Sequence, residues 1–451
     1  MTTAREVAYD VLHAVRTSDA YANLLLPREI LRAQLSSGDA ALATELTYGT
    51  LRRIGTYDAI IGAAASRPAD EIDPAVLDAL RLGTHQVLAT RIPPHAAVNE
   101  TVELVRQAAG RRATGFANAV MRRVTERGEE SWLDHLEETA RSDDERLALR
   151  HAHPVWVIRA LRRALVAEGR GEELADLLAA DNRAPSVTMT ALPGVGQIPE
   201  GAERTTQSPI GFRWGGGDPE RLITASGGAV RVQDEGSQLA ALALTRAVPV
   251  RSGEVWLDLC AAPGGKTAVL AAEAHAAGAR VEANELSAVR ARLVRQSVAA
   301  IPAEVPVSEE DGRTRAARGS YDRILVDAPC TGLGALRRRP EARWRKMPSD
   351  VPELAALQGD LLGAAIEALA PGGIVAYVTC SPHLAETKAV VADVERRFEG
   401  RIEQLDARAV LREISDAEID LPDQVDGSGR AQLWPHRHGT DAMSITLLRR
   451  T

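Results

Sequence analysis

Two of the three cysteines in this chain stand at the ends of apolar runs. One run is Ile324-Leu325-Val326-Asp327-Ala328-Pro329-Cys330, and the other is Ile374-Val375-Ala376-Tyr377-Val378-Thr379-Cys380-Ser381. Short apolar stretches bounded by Gly and Pro, with helix-like segments between them, predict buried parallel strands. In such sheets the ligand crevice lies at the carboxyl ends of the strands. Two thiols then face one pocket, where one attacks a substrate and the other moves a proton. The competing reading makes both of them small core hydrophobes. Their shared place at strand ends, beside Asp and Ser, weighs against it.

A second constellation is Asp258-Leu259-Cys260-Ala261-Ala262-Pro263-Gly264-Gly265-Lys266-Thr267. Glycines let a backbone approach a ligand closely, and the following helix offers amide donors at its N-terminus. A phosphate loop of the form G-x-x-x-x-G-K-[ST] would need glycine where Cys260 stands, so a nucleoside triphosphatase is disfavoured. The dinucleotide fingerprint G-x-G-x-x-G is absent. Glu285, after the next expected strand, has the chemistry to hold two ribose hydroxyls. Asp311, after a third, has the chemistry to address an adenine. Either acid is also explained as a helix cap. In this order they outline an adenosine-containing ligand without a pyrophosphate grip, which S-adenosylmethionine fits.

These groups need a scaffold. From about residue 230 the pattern alternates strand and helix: strands at 255–259, 280–284, 322–327 and 374–379, helices from 266, at 287–299 and at 352–369, and a late antiparallel strand at 444–448. That alternation predicts a doubly wound α/β sheet. Residues 1 to about 130 carry apolar residues at helical spacing, as in Val7, Val11, Leu12 and Val15, with Asp73-Pro74 and Pro93-Pro94 as punctuation. They read as a helix bundle. The stretch 125–146 reads as a charged connector, and 185–230 as a small mixed piece rich in Gly and Pro.

The composition is that of an ordinary globular protein, 45% hydrophobic and 26% charged over 451 residues, enough for two or three domains. No apolar stretch is long enough to span a bilayer, and the opening residues to Asp10 lack a leader-like apolar core. With three cysteines and no short-range pairing, a reducing, cytoplasmic location and the absence of a metal site are expected. The net charge of −8 hides two basic clusters. One comprises Arg337, Arg338, Arg339, Arg343, Arg345 and Lys346, and the other Arg111, Arg112, Arg122 and Arg123. A local positive field suffices for phosphate. The first cluster follows Cys330 closely, so it is expected to hold phosphates near the pocket, with Trp344 either stacking on a base or anchored in a core.

The motifs DLCAAPGGKT (258–267), YDRILVDAPCTGLGALRRRPEARW (321–344), PGGIVAYVTCS (371–381) and GSGRAQLWPHRHGTDAM (427–443), preceded by VQDEGSQLA (232–240), resemble the RsmB/Sun/Fmu-type family of bacterial 16S ribosomal RNA cytosine-5 methyltransferases. LATELTYGTLRR (42–53), LRLGTHQVL (80–88), HAAVNETVEL (95–104) and FANAVMRR (116–123) resemble a NusB-like RNA-binding domain. The resemblance implies a multidomain chain: an all-α NusB-like helix bundle (1–135), a small connecting subdomain (140–228), and a Rossmann-like α/β class I methyltransferase domain (229–451). It also implies S-adenosylmethionine as cofactor, held by Cys260, Ala261, Ala262, Pro263, Gly264, Gly265, Lys266, Glu285, Asp311 and Asp327. Cys380 would be the nucleophile, Cys330 would assist product release, and Asp327 would contact the base. The implied partner is 16S ribosomal RNA before or early in subunit assembly, acted on by a monomer. A non-catalytic RNA-binding or ribosome assembly factor, a methyltransferase acting on another RNA such as transfer RNA, and a uridine-5 methyltransferase are the competing functions. Two departures stand out: Asp441-Ala442-Met443-Ser444 replaces a phenylalanine-bearing turn, and Glu285 replaces an aspartate.

Overall fold

The structure is a computed structural model that describes residues 2–18 and 20–451, so expectations touching Met1 and Asp19 lie outside the described residues at those two positions. The chain divides into two compact units, Met1–Arg159 with Leu336–Arg345, and Ala160–Ala335 with Lys346–Thr451.

The first unit is helical, built from Ala4–Thr17, Ala22–Arg32, Ser37–Ala65, Pro74–Ala89, Pro94–Ala109, Arg111–Val124, Glu129–Glu137 and Asp143–His151. Val7, Val11, Leu12 and Val15 face its core, as their spacing predicts. Asp73 caps the helix that begins at Pro74, accepting from the amides of Ala75 and Val76. The charged stretch 125–146 is not a bare connector. It contains the whole of one helix and the first turn of another, and Trp132 and Leu136 of the first join the core. Its charge lies on the outward face, which masked the apolar stripe.

A short piece of distant chain completes this unit. Arg343 is fully buried and donates to the carbonyls of Arg52 and Ala152, each at 3.1 Å. The Trp344 indole donates to the Leu51 carbonyl at 3.0 Å and lies over Gly55, where a side chain would overlap its ring. Arg345 donates to the carbonyls of Val15, at 2.8 Å, and Ala20. Residues 336–345 thus form a strap set into the bundle.

The second unit carries two sheets. The smaller is antiparallel, with β1 (Val187–Ala191) between β2 (Gly211–Trp214) and β3 (Val230–Val232). The larger is built from β4 (Val255–Asp258), β5 (Arg280–Asn284), β6 (Val307–Ser308), β7 (Tyr321–Asp327), β8 (Leu369–Thr379), β9 (Ile402–Leu405), β10 (Ala431–Gln432) and β11 (Ser444–Arg450). Its order is β10-β11-β8-β7-β4-β5-β6, with β9 paired to β11. The pairs β4–β5, β4–β7, β5–β6 and β7–β8 are parallel, and β11 enters antiparallel to β8. The strand order reverses between β4 and β7, so the crevice for a ligand opens where Asp258 and Asp327 end those strands. Core residues such as Trp256, Leu325, Val375 and Val378 are fully buried, as strands covered on both faces require.

Candidate active site

β7 and β8 lie side by side, with Asp327 opposite Val378. Cys330 sits on the loop just beyond β7, and Cys380 directly follows β8. Both thiols are half-buried, and their Sγ atoms are 3.5 Å apart. The loop after Cys330 is stitched in place by its backbone. The Gly334 amide donates to the Cys380 carbonyl, and the Ala442 amide donates to the Gly334 carbonyl, both at 2.8 Å. A Cβ at 334 would overlap the Ala442 carbonyl oxygen, so only glycine permits this approach. The unusual Asp441–Ser444 turn therefore meets the site through main-chain bonds. The Met443 side chain fills core behind it. The Asp441 amide donates at 3.0 Å to Asp234, which also caps the helix Glu235–Arg246.

Lys266, from the glycine-loop helix, reaches across to Asp327, with Nζ 2.8 Å from Oδ2. Burial works to discharge this lysine, but Asp327, then Cys380 and Asp258, outweigh it and hold the ammonium above its usual pKa. The ammonium therefore lies in the field of the Cys380 sulfur, the setting that favours a thiolate. Cys330 behaves oppositely. Its thiol is pushed well above the ordinary value, first by its hydrogen bond with Cys380, then by burial and the negative charges of Cys380 and Glu386. Two thiols this close titrate as a coupled pair, and the contact with Cys380 raises the pKa of Cys330.

The expected cofactor residues border the same crevice. Gly264 adopts φ +105°, and a Cβ there would sit 2.5 Å from Ser297 Cβ. The helix Gly265–Ala277 begins without a side-chain cap, leaving its first amides for a ligand. Half-buried Cys260 has its thiol pushed up by burial and then by Asp258, Asp327 and Glu285, which places three carboxylates around it. With one lysine among them, this donor set suits a cationic sulfonium nucleoside and repels phosphate. S-adenosylmethionine therefore fits the residues present. Asp311 caps the short helix Gly312–Ala316 through the Arg313 amide and pairs with the Arg313 side chain. Glu285 accepts from the Ser287 amide at 3.0 Å. Asp311 thus also performs the capping role that was the alternative for it, whereas Glu285 bonds the N-cap residue of the next helix and does not cap it.

Asp258 is fully buried and accepts from the Thr267 hydroxyl at 2.7 Å. Burial raises its pKa from 3.8 to about 7. Because the folded value lies above the unfolded one, its contribution to stability is full below pH 4 and is lost as pH rises through 7. Three units correspond to roughly 4 kcal/mol. The Asp258→Asn protein, which cannot ionise there, should gain several degrees in melting temperature over the parent between pH 5 and pH 8 when free of cofactor. A constant difference across that range would refute the shift.

The basic run after Cys330 needs correction. Arg343 is interior to the helical unit, and Arg345 turns its guanidinium into the same unit, onto the carbonyls of Val15 and Ala20, so the structure points both away from the phosphate role expected of them. Trp344 takes the anchored role. Arg337 is buried and Arg338 half-buried, and both lie in the strap. Arg339 is the exposed member, 5.9 Å from the Tyr21 ring centre, and Lys346 is half-buried. Guanidinium groups supply five donors, and this strap uses them to satisfy carbonyls. Two further residues had no role assigned from sequence beyond the loop motif: Lys266 as partner of Asp327 and Cys380, and Glu386, buried beneath both cysteine loops. Glu386 lies in an irregular turn, without periodicity to mark it.

Comparison with known proteins agrees with this geometry. Residues 246–449 match the family described as 16S rRNA methyltransferase RsmB/F, and residues 2–126 match the NusB family. A probable ribosomal RNA small subunit methyltransferase B from Bacillus subtilis is 30% identical, with 100% of this chain and 99% of that protein covered. The chain belongs to the RsmB/F family. Its members are S-adenosylmethionine-dependent RNA cytosine-5 methyltransferases, and this chain is one of them. A Mycobacterium tuberculosis relative whose name calls it a methyltransferase and gives no substrate is 48% identical, over 99% of this chain and 96% of its own. The RsmB/F fold also recurs in the crystal structure of PH0851, with TM-score 0.78, 20% identity and 98% of each chain covered. A Pyrococcus horikoshii methyltransferase homologue aligns with TM-score 0.53 at 21% identity, over 68% of this chain and 98% of its own. Among the described residues no helix is long and apolar enough to cross a membrane, and no cluster suits a metal.

Proposed function

We propose that this enzyme methylates carbon 5 of a cytidine in small-subunit (16S) ribosomal RNA through a covalent adduct on Cys380. The observation that carries the reading is the thiol pair at 3.5 Å, with Lys266 and Asp327 beside it. Carbon 5 of cytosine is a weak nucleophile. When the Cys380 sulfur bonds to carbon 6, the ring double bond shifts its electrons toward carbon 5 and ring nitrogen 3. Lys266 shares its proton with Asp327, and together they face the negative charge that builds on the ring. S-adenosylmethionine, when bound, supplies an electrophilic methyl that carbon 5 accepts. Once Cys380 is tied up as a thioether, the first cause of the raised Cys330 pKa is gone. Cys330 then loses its proton to solvent and takes the carbon 5 proton. The electrons left behind break the carbon 6–sulfur bond and restore the Cys380 thiolate.

The target base must be unpaired or flipped out, at a cost of a few kcal/mol. Arg111, Arg112 and Arg122 are exposed on one helix of the NusB-like unit and are the cations we assign to phosphate contact, with Arg339. Support for ribosomal RNA comes from the Bacillus subtilis relative and from the Escherichia coli ribosomal RNA small subunit methyltransferase B, 32% identical over 83% of this chain. The test is bisulfite sequencing of total RNA from a deletion strain, then methylation of naked 16S RNA and assembled small subunits by purified enzyme. Loss of one 16S 5-methylcytidine, restored by the enzyme on naked RNA, is expected. An intact 16S pattern with a missing transfer-RNA mark would overturn the substrate.

A further inference from the structure

Beneath the two thiols lies a carboxylate that the reaction as described does not use. Glu386 is fully buried and accepts from four donors. One oxygen takes the Thr331 amide at 2.7 Å and the Gln358 carboxamide at 3.3 Å. The other takes the Thr331 hydroxyl at 2.5 Å and the Ser381 hydroxyl at 2.6 Å. None of these donors is a cation. Thr331 is the residue after Cys330, and Ser381 is the residue after Cys380. One side chain therefore grips both cysteine loops, each one residue from its thiol.

The surroundings hold the grip rigid. Gln358 also donates to the Pro329 carbonyl at 2.8 Å, on the other side of Cys330. Tyr377 of β8 donates to the Glu386 carbonyl at 2.6 Å and to Gln358 at 3.2 Å. The two hydroxyls that face Glu386 are themselves 3.0 Å apart. A carboxylate only accepts, so it fixes the direction of all four donors at once. Buried and neutral-donor bound, such a group has a high desolvation penalty, and a core needing only volume would fill the position with an apolar side chain.

We propose that Glu386 is a positioning residue that sets the separation of the Cys330 and Cys380 sulfurs, and so the ability of one active site to use one thiol as nucleophile and the other as proton carrier. The proposal deepens the reading of the cysteine pair above and rests on it. Misplacing a reacting group by about 1 Å lowers rate about a hundredfold. Single-turnover methylation by Glu386→Ala should fall by that factor, with RNA affinity unchanged.

Thiol proximity can be read without RNA or cofactor, which separates this proposal from the choice of substrate. Diamide, a diazene oxidant, takes the two thiol hydrogens and becomes the hydrazine while a sulfur–sulfur bond forms. Peptide mass mapping then quantifies the Cys330–Cys380 link. The parent should form it readily. Glu386→Ala should form it at least tenfold more slowly, with circular dichroism unchanged. Glu386→Gln keeps the volume and one acceptor oxygen but turns an amide donor toward the Thr331 or Ser381 donors, so an intermediate rate is expected. It also decides the matter where the alanine protein does not fold. A folded Glu386→Ala or Glu386→Gln protein that cross-links at the parental rate would overturn the proposal.

Discussion

Replacing Cys380 with alanine should abolish methyl transfer, by about 10^4-fold or more, the scale on which enzymes lose activity with their covalent nucleophile. Replacing Cys330 with alanine should do something different. The methyl still reaches carbon 5, but the proton there has no nearby base and the sulfur cannot be expelled. The enzyme then stays attached to its RNA. On denaturing gels with labelled RNA, Cys330→Ala should give a slowly migrating, heat-stable species that carries one methyl group. Cys380→Ala and the double variant should give none. The electrostatics of the pair are consistent with the roles that the family resemblance implies: Cys380 helps raise the Lys266 pKa, and the contact with Cys380 raises that of Cys330. A covalent species from Cys380→Ala, with free turnover by Cys330→Ala at parental rate, would show that the roles are exchanged.

The thiol pair was legible in the sequence because strands alternate with helices at a spacing that only a parallel sheet satisfies. Once β7 and β8 are neighbours, residues just past their ends meet at one edge. The glycine loop was legible for a similar reason, since Gly264 and Gly265 follow a strand and open a helix. The basic strap was misread because charge says nothing about direction. Arg343 and Arg345 find their carbonyls on residues some 190 to 330 positions away in the chain. No local pattern encodes such a pairing. Gly55 beneath Trp344 is a local trace of it, but a glycine inside a helix has several explanations. Glu386 escaped for a related reason. A buried acid looks like a surface acid until its donors, here Thr331, Gln358 and Ser381, arrive from three other segments.

Lys266 should prove the most consequential residue after the cysteines. Its ammonium performs two tasks that a cofactor-loop residue need not perform. In the proposed mechanism it stabilises the Cys380 thiolate before attack, and through Asp327 it meets the charge that develops on the base afterwards. Lys266→Met keeps the length and removes the charge. Loss of one preorganised donor in a closed site lowers kcat by about 10^2- to 10^3-fold. Asp327 would also lose the partner 2.8 Å away that makes its partly buried charge tolerable. The pH dependence of adduct formation separates the tasks. Where thiolate supply dominates, the deficit of Lys266→Met shrinks as pH rises, because alkali replaces the missing ammonium in ionising Cys380. Where charge on the base dominates, the deficit stays constant with pH, since no solvent ion substitutes for a fixed donor. Lys266→Arg keeps the charge on a broader, flatter group and should recover the first task better than the second. RNA affinity should be unchanged in both proteins. A Lys266→Met enzyme within twofold of the parent at every pH would remove the lysine from the mechanism and leave the pairing with Asp327 a matter of stability alone.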